Sequence, residues 1–162
     1  MTMRLNYAHV LPAATRAMVA LEDVVKESEL EPELMELVKL RASQLNGCAY
    51  CVDMHTKDAL AIGEEERRLH LVAVWRDTDV FTPRERAALL WTEALTELSE
   101  TRAPDEAYDA MAALFPPAEQ VALTLGIVAI NGWNRLNVGF RTPAGDYVSH
   151  RHPAPAATAV AS

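Results

Sequence analysis

Four side chains that could transfer protons or electrons lie close together in this 162-residue chain: Glu36, Cys48, Cys51 and His55. The two cysteines are the only ones in the sequence, and both fall in a single Cys-x-x-Cys pattern. This clustering of the whole thiol content favours redox or metal chemistry over simple packing. Cysteines three residues apart in the first turn of a helix are also close enough to form a disulfide.

The residues around this pattern place it at the beginning of a helix. Apolar residues at helical spacing predict a helix over 32–45. Asn46-Gly47 then predicts the end of that helix, because glycine readily adopts the left-handed conformation that closes a helix. A new helix is therefore expected from about Cys48 to about Gly63.

One face of this second helix carries both thiols and an imidazole. At about 100° per residue, Cys48, Cys51 and His55 share a stripe with apolar side chains, and this stripe should face inward. The free N–H groups and the positive dipole of the first turn stabilise a thiolate there. His55 follows Cys51 by one turn, so its ring can reach that sulfur and accept the thiol proton.

These four side chains, at this spacing, resemble the E-x11-C-x2-C-x3-H signature of the alkyl hydroperoxidase D-like, carboxymuconolactone decarboxylase family. The sequence of residues 40–48, LRASQLNGC, is also similar to the corresponding segment of the family's small single-domain members. The resemblance covers about residues 5–140. It implies an all-α, oligomeric domain in which the glutamate, the two cysteines and the histidine are the catalytic residues.

The chain departs from some members of the family at Tyr50, where they carry a histidine immediately before the second cysteine. Tyrosine can donate a hydrogen bond but is a poor base at neutral pH. The proton relay ascribed to that histidine is therefore not carried over to this chain.

Periodicity and resemblance disagree about Glu36. This residue lies roughly opposite the main apolar stripe of its helix, which by itself indicates a solvated surface glutamate. The eleven-residue spacing to Cys48 indicates the active site instead. We follow the spacing and expect Glu36 to be buried near His55, under another segment of the chain or a second subunit.

The resemblance implies a thiol-dependent peroxidase or disulfide oxidoreductase. A thiolate attacks the terminal oxygen of a hydroperoxide and becomes a sulfenic acid, and the second cysteine condenses with it to a disulfide. An external dithiol or a thioredoxin-like reductant restores both thiols by exchange, and no metal, flavin or haem is required. Glu36 and His55 would move protons. Adjacency to His55 favours Cys51 as the attacking thiol, whereas the helix dipole and exposure favour Cys48.

Three other interpretations are compatible with these residues. The family name implies a carboxymuconolactone decarboxylase, although that branch does not rely on the cysteine pair. A structural zinc site is another, because cysteine and histidine are zinc ligands, but Glu36 or His70 would have to complete the set of four. Three ligands within eight residues of one helix also fit a tetrahedron poorly. The last interpretation is a cysteine pair that merely packs.

Size and charge predict one globular domain that binds neither nucleic acid nor membranes. Half of the residues are hydrophobic, and the formal net charge is −8. Nucleic acids and anionic membranes attract positive surfaces, so this charge disfavours both as partners. No long apolar run follows a basic N-terminus, so we expect no signal peptide, and a reactive cysteine pair is then expected in the cytoplasm.

Helical patterns predict an all-α domain of six or seven helices within residues 1–141. Helices are expected over about 12–27, 32–45, 48–63, 64–75, 82–98, 104–114 and 118–138. In the last of these, residues 121–130 are apolar on nearly every side but too few to span a bilayer, which needs about 20. A helix of this kind is buried, and we expect a second subunit of a homo-oligomer to cover part of it.

The C-terminal part of the chain gives weaker signals. Asn131, Trp133, Asn134 and Arg135 are typical of a hydrogen-bonded helix end, and the resemblance places them against the active region instead. Residues 142–162 contain several prolines and many alanines without periodicity, and they predict a mostly disordered tail.

Overall fold

The computed structural model describes residues 2–151, and every regular element in this range is helical. Helices α1 (Tyr7–Val10) and α7 (Leu98–Thr101) are single turns. The seven longer helices of the range are α2 (Pro12–Lys26), α3 (Pro32–Leu45), α4 (Ala49–Ala61), α5 (Glu66–Leu71), α6 (Pro83–Thr96), α8 (Asp105–Ala112) and α9 (Pro117–Phe140). A 3-10 segment, Val72–Asp77, follows α5. The all-α prediction is confirmed, and α4 begins one residue after Cys48.

Helix α3 lies at the centre of the fold, in contact with α4, α6 and α9. Nine of its 14 residues are buried, including the polar residues Glu36, Lys39 and Ser43. Because helices surround α3, the side opposite its apolar stripe is covered as well. Lys39, for example, forms a buried ion pair there with Glu22 of α2. This arrangement explains why periodicity alone indicates a surface position for Glu36.

Two apolar clusters flank α3 and hold the helices in place. The larger cluster joins α2, α3, α6, α8 and α9, and its members include Leu34, Val38, Trp91, Met111 and Ile127. The smaller joins α3, α4, α5, the 3-10 segment and α6, and its members include Leu37, Leu40, Ala59, Val72 and Leu89. Since each large apolar side chain stabilises a fold by about 1.5–3 kcal/mol when buried, both clusters fix α3 against its neighbours.

A tight turn between α3 and α4 sets the position of Cys48. Gly47 has a φ of 63°, in the left-handed region. Its N–H donates to the carbonyl of Gln44 (3.2 Å), and the N–H of Cys48 donates to the carbonyl of Ser43 (3.0 Å). These two bonds form a Schellman motif, which satisfies the last carbonyls of α3 and ends that helix in a defined direction.

Helix α9 is only partly covered by its own chain. Within 121–130, residues such as Leu123, Ile127 and Ile130 are buried, but Val121 and Val128 keep 61% and 53% of their surface exposed. None of the helices between residues 2 and 151 combines the length and apolarity that a membrane crossing requires. Assembly through α9 stays a prediction.

The described part of the expected tail, residues 142–151, lies against α4 without forming a helix or strand. Lys57 of α4 donates to the carbonyls of Gly145 (3.0 Å) and Tyr147 (2.9 Å). The N–H of Gly145 donates to Asp53 of α4 at 3.2 Å. These contacts use backbone atoms of the segment, which explains why its side-chain pattern gives no signal for them. Residues 152–162 lie outside the described range.

The turn at Gly47 allows a test of how its conformation supports the fold. We expect Gly47→Ala to lower the free energy of unfolding by about 1 kcal/mol, because a Cβ is strained at positive φ. Open space surrounds this residue, so the loss would come from the backbone and not from a clash. Urea unfolding followed by circular dichroism measures the effect.

The matched control for this variant is Gly139→Ala, at a position inside α9 that is equally free of neighbours. There the substitution should leave stability unchanged or raise it by up to about 1 kcal/mol, because alanine favours the helical conformation. Equal effects of the two substitutions would contradict a special role for the turn.

Candidate active site

The two cysteines form a disulfide at the beginning of α4. Cys48 is the N-cap residue of the helix, Cys51 lies in its first turn, and their Cα atoms are 5.3 Å apart. Each residue has only 1% of its surface exposed, in a small cluster with Ala42 and Ile130. Oxidation of the pair therefore needs no rearrangement of the helix, and reagents must reach the sulfurs through cavities.

Cys51 has a hydrogen-bond donor from α9. Asn137 Nδ2 lies 3.5 Å from Cys51 Sγ, and the hydroxyl of Tyr7 donates to Asn137 Oδ1 at 3.1 Å. Because the amide oxygen accepts from the tyrosine, the amide N–H₂ group faces the sulfur. A thiolate at Cys51 would thus be stabilised by a donated hydrogen bond.

A buried carboxylate on α3 meets the imidazole of α4. Glu36 Oε2 lies 2.7 Å from His55 Nδ1, and the two residues are 1% and 3% exposed. A carboxylate only accepts hydrogen bonds, so Nδ1 carries the hydrogen of this contact. The other ring nitrogen, Nε2, is buried and has no hydrogen-bond partner among residues 2–151. That nitrogen is therefore free to accept or deliver a proton.

The environment of Glu36 favours its charged form. Burial alone would raise the pKa of this carboxyl group, but the hydrogen bond and charge of His55 outweigh it, with Lys39 and Arg151 adding to the effect. The pKa of Glu36 is therefore lower than usual, and the group is a carboxylate at neutral pH.

Arg151 brings the C-terminal segment over this pair. Its Nη2 lies 2.9 Å from Glu36 Oε1, as an ion pair without the geometry of a good hydrogen bond. Its Nε lies 3.5 Å from Asp58 Oδ2, which belongs to α4. The guanidinium thus bridges two buried carboxylates and balances their charge.

Asp58 also anchors the segment through two hydroxyl groups. The hydroxyl of Tyr147 donates to Asp58 Oδ1 at 2.8 Å, and that of Ser149 donates to the same oxygen at 2.6 Å. Partial burial and then the bond to Asp58 raise the pKa of Tyr147 to about 12, so its hydroxyl remains a donor. Residues 145–151 therefore form a strap that is anchored on α4 and reaches the buried Glu36 through Arg151.

A cavity of about 320 Å³ adjoins this group of residues. Cys51 and His55 both line it, and its walls include the rings of Tyr7, Tyr50 and Trp133. Its volume lies within the range of small-molecule sites, and its rings suit an organic group. Cys51 and the imidazole of His55 thus line the same space.

Asparagines of α9 fix the end of α3 relative to the disulfide. Asn46 Nδ2 donates to Asn131 Oδ1 (3.0 Å) and Asn134 Oδ1 (2.9 Å), and Asn134 Nδ2 donates to Ser43 Oγ (3.1 Å). Trp133 packs against the cysteine cluster. The expectation of a helix end here is wrong, because α9 continues to Phe140. The asparagines at 131 and 134 are hydrogen-bonded from inside this helix, and Trp133 lies beside the candidate site.

The structure brings together the four residues expected from the sequence. Glu36 and His55 are in contact, Cys48 and Cys51 are bonded, and Cys51 shares a cavity with His55. Glu36 is covered by its own chain, so no second subunit is required for its burial.

Sequence reasoning missed four residues around the site: Tyr7, Asp58, Asn137 and Arg151. Asp58 follows His55 by one helical turn, so its place on the inward face could have been anticipated. Asn137 follows Asn134 by the same interval, which was a weaker signal. Tyr7 and Arg151 come from segments without periodicity, and no pattern indicated them.

The geometry of these residues does not favour a structural zinc site. In this oxidised form the sulfurs are bonded to each other, and His70 is exposed in a contact with Glu66. Among residues 2–151, one cluster of potential ligands could bind a cation. It consists of Glu36, His55 and Asp58, whose ligand atoms lie within 4.8 Å of one another. Arg151 already pairs with both of these carboxylates, so a metal ion would have to displace it.

Comparisons with known proteins agree with the geometry. The model of the carboxymuconolactone decarboxylase family matches residues 11–94, just over half of the chain. The uncharacterized protein YdfG of Bacillus subtilis (strain 168) is 38% identical over 138 residues, which cover 85% of this chain and 94% of that protein.

Two crystal structures of relatives share the fold. The Agrobacterium tumefaciens protein ATU0492 gives a TM-score of 0.84 at 45% identity, over 95% of this chain and 100% of that chain. It is a protein of unknown function with a suggested identity as the antioxidant defence protein AhpD. The alkylhydroperoxidase AhpD core of a peroxidase-related protein from Ralstonia eutropha JMP134 gives a TM-score of 0.75 at 22% identity, over 86% and 74% of the two chains. Taken with the match to YdfG and to the family model, these likenesses establish that the chain belongs to the carboxymuconolactone decarboxylase family and has the alkyl hydroperoxidase D-like fold.

Proposed function

We propose that the protein is a thiol-dependent peroxidase or disulfide oxidoreductase that cycles through the Cys48–Cys51 disulfide. The observation that carries the proposal is the shared cavity of Cys51 and His55, with the Glu36 carboxylate bound to the far side of the imidazole. This arrangement supplies a thiol, a base beside it and a second thiol within bonding distance. A suggested antioxidant role for ATU0492 and the peroxidase-related Ralstonia protein add support at the level of the family.

The peroxide half of the cycle begins at Cys51. His55 Nε2 accepts the thiol proton, and the Cys51 thiolate attacks the terminal oxygen of the hydroperoxide. The O–O bond breaks, the departing alkoxide takes the proton back from His55, and an alcohol leaves. Cys51 is then a sulfenic acid. Glu36 keeps the hydrogen on Nδ1 and stabilises the imidazolium that forms during the transfer.

Cys48 completes the oxidation. Its sulfur attacks Cys51 Sγ, the hydroxyl group leaves as water, and the disulfide forms. We assign the attacking role to Cys51 because His55 follows it by one turn and Asn137 donates to its sulfur. Cys48, at the N-cap, then acts as the resolving cysteine. An external reductant returns both thiols by exchange.

Arg151 acts as a positioning residue in this scheme. It pairs with Glu36 and Asp58 and not with the sulfurs, and it fixes the end of the strap of residues 145–151 beside the carboxylate that binds the imidazole. Exclusion of water on this side strengthens the electrostatic interaction between Glu36 and His55.

We also propose that the protein is a cytoplasmic homo-oligomer, in which the exposed valines of α9, Val121 and Val128, contact a second subunit. Removal of these side chains from water would stabilise such an interface by about 25 cal/mol per Å² of apolar surface.

Single cysteine variants test the thiol cycle. Cys48→Ser and Cys51→Ser should each abolish turnover with a hydroperoxide and a dithiol, because the cycle needs two sulfurs. Cys48→Ser should still consume one equivalent of hydroperoxide and hold a sulfenic acid at Cys51, which dimedone labelling followed by mass spectrometry detects. Cys51→Ser should not react at a comparable rate.

If Cys51→Ser consumes one equivalent of hydroperoxide and Cys48→Ser does not, then Cys48 is the cysteine that attacks the hydroperoxide. Normal turnover by both variants would contradict the thiol mechanism and favour the decarboxylase activity implied by the family name. In that case, release of CO₂ from a carboxymuconolactone would be the activity to measure.

The Glu36→Gln variant tests the proton relay. Glutamine can keep a hydrogen bond to the imidazole but cannot stabilise its charged form. We expect the reaction of Cys51 with hydroperoxide to slow by roughly 10²–10⁴-fold, the range typical of a lost acid–base group. Stopped-flow tryptophan fluorescence with the reduced protein measures this rate.

Glu93→Gln is the matched control, since Glu93 is also a buried glutamate with a lowered pKa. Burial opposes that shift, and bonds from Trp75, Arg76 and Arg41 outweigh it. Glu93 does not line the cavity with Cys51, so this variant should lose stability without losing the fast reaction. An equal loss of rate in both variants would mean that Glu36 matters for folding alone.

A further inference from the structure

The two residues of the disulfide line two different cavities. Cys51 lines the cavity that contains His55, whereas Cys48 lines a second one of about 390 Å³. Tyr50 and Asn137 line both, so together with the disulfide they form the wall between the two spaces. Each cysteine therefore lines a different space.

The second cavity has a distinct charge. Two arginines, Arg4 and Arg141, line it together with Gly47, Ala49, Val138 and Thr142, and its lining contains no acidic side chain. Within residues 2–151, neither guanidinium is within ion-pair distance of a carboxylate, although Arg4 Nη1 donates to the carbonyl of Gly139 at 3.0 Å. The positive charge of this cavity, beside Cys48, contrasts with the net charge of −8 of the whole chain.

The direction of thiol–disulfide exchange connects this cavity to the chemistry. An attacking thiolate approaches one sulfur in line with the S–S bond, and the other sulfur leaves on the opposite side. Attack from the arginine-lined cavity meets Cys48 and releases Cys51 towards Asn137 and His55. The leaving thiolate thus departs where a hydrogen-bond donor stabilises it.

We infer that the disulfide is reduced from the Cys48 side by a small thiol that carries a carboxylate, held by Arg4 and Arg141. This inference rests on the proposed function for the oxidation half of the cycle and names the reductant for the other half. The thiolate attacks Cys48 Sγ, the S–S bond breaks, and Cys51 leaves as the thiolate. A second thiolate then attacks the reductant sulfur of the mixed disulfide and releases Cys48. Two thiols become one disulfide, and the protein gains the two electrons.

The volume of the second cavity and the positive charge of its lining favour a small thiol with a carboxylate as the reductant. Both sulfurs are almost fully buried, so a flat protein surface does not reach them, whereas a small molecule fits a concave space of this volume. Guanidinium groups bind carboxylates with two parallel hydrogen bonds, which gives both affinity and orientation. Positive charge at the mouth also accelerates the encounter with anions.

Three thiols of similar size and different charge test this inference: 3-mercaptopropionate, 2-mercaptoethanol and cysteamine. The oxidised protein is mixed with each of them without any peroxide, and release of protein thiols is followed at equal thiolate concentration and low salt. We expect 3-mercaptopropionate to be the fastest and cysteamine the slowest, with the difference shrinking as salt rises. Equal rates for the three thiols would overturn the inference.

The double variant Arg4→Gln/Arg141→Gln removes the two charges. It should lower the rate with 3-mercaptopropionate by about tenfold or more and leave the rate with 2-mercaptoethanol unchanged. Arg102→Gln is the matched control, because Arg102 has the same left-handed conformation at a helix C-cap (φ 55°, against 58° for Arg141) and does not line this cavity. An equal loss with the neutral thiol, or a loss in the control, would overturn the assignment.

The site of attack is read from the mixed disulfide. Acid quenching and fragmentation mass spectrometry should find 3-mercaptopropionate on Cys48 with Cys51 free, and adducts on Cys51 would refute the proposed direction. Reduction by thioredoxin that is much faster than by any small thiol, and unaffected in the double variant, would assign the reductant to a protein instead. Because no peroxide is present, these results hold whether or not the peroxidase activity exists.

Discussion

The contact between Glu36 and His55 is the interaction on which the rest of the candidate site depends. A carboxylate in the middle of a central helix would be costly to bury alone, and here Glu36 accepts a hydrogen bond from the imidazole on α4 while Arg151 of the strap balances its charge. The same contact holds the hydrogen on Nδ1 and leaves Nε2 without a partner among residues 2–151, in a ring that lines the same cavity as Cys51. One buried charge therefore joins α3, α4 and the C-terminal segment, and it also determines which nitrogen can receive a proton.

The disulfide divides the surroundings of the site into two chemical environments. The side of Cys51 offers a base, an amide donor and aromatic walls, as a peroxide-reactive thiol requires. The side of Cys48 offers two arginines and the first turn of α4. Two cavities would let oxidant and reductant approach different cysteines of one disulfide, so neither would need to leave before the other binds.

Local signals in the sequence predicted the seven longer helices, although not the single turns α1 and α7, and they placed the cysteine pair and His55 on one inward face. Asn46-Gly47 marked the Schellman turn, and the stripe of Cys48, Cys51 and His55 marked the inward face of α4, because both depend on neighbours along the chain. Periodicity failed for Glu36, since it assumes that one side of each helix is solvated and α3 is surrounded. Arg151 could not have been predicted, because it reaches Glu36 from 115 positions away through a segment without periodicity, anchored partly by its backbone carbonyls.

The decisive measurement for the peroxidase cycle is a count of thiols in the fully reduced protein, before and after one equivalent of cumene hydroperoxide. We expect two free thiols per chain to become none, the Cys48–Cys51 disulfide to appear, and one equivalent of the alcohol to be released. Persistence of both thiols after prolonged exposure to the hydroperoxide would contradict a peroxidase cycle at this site.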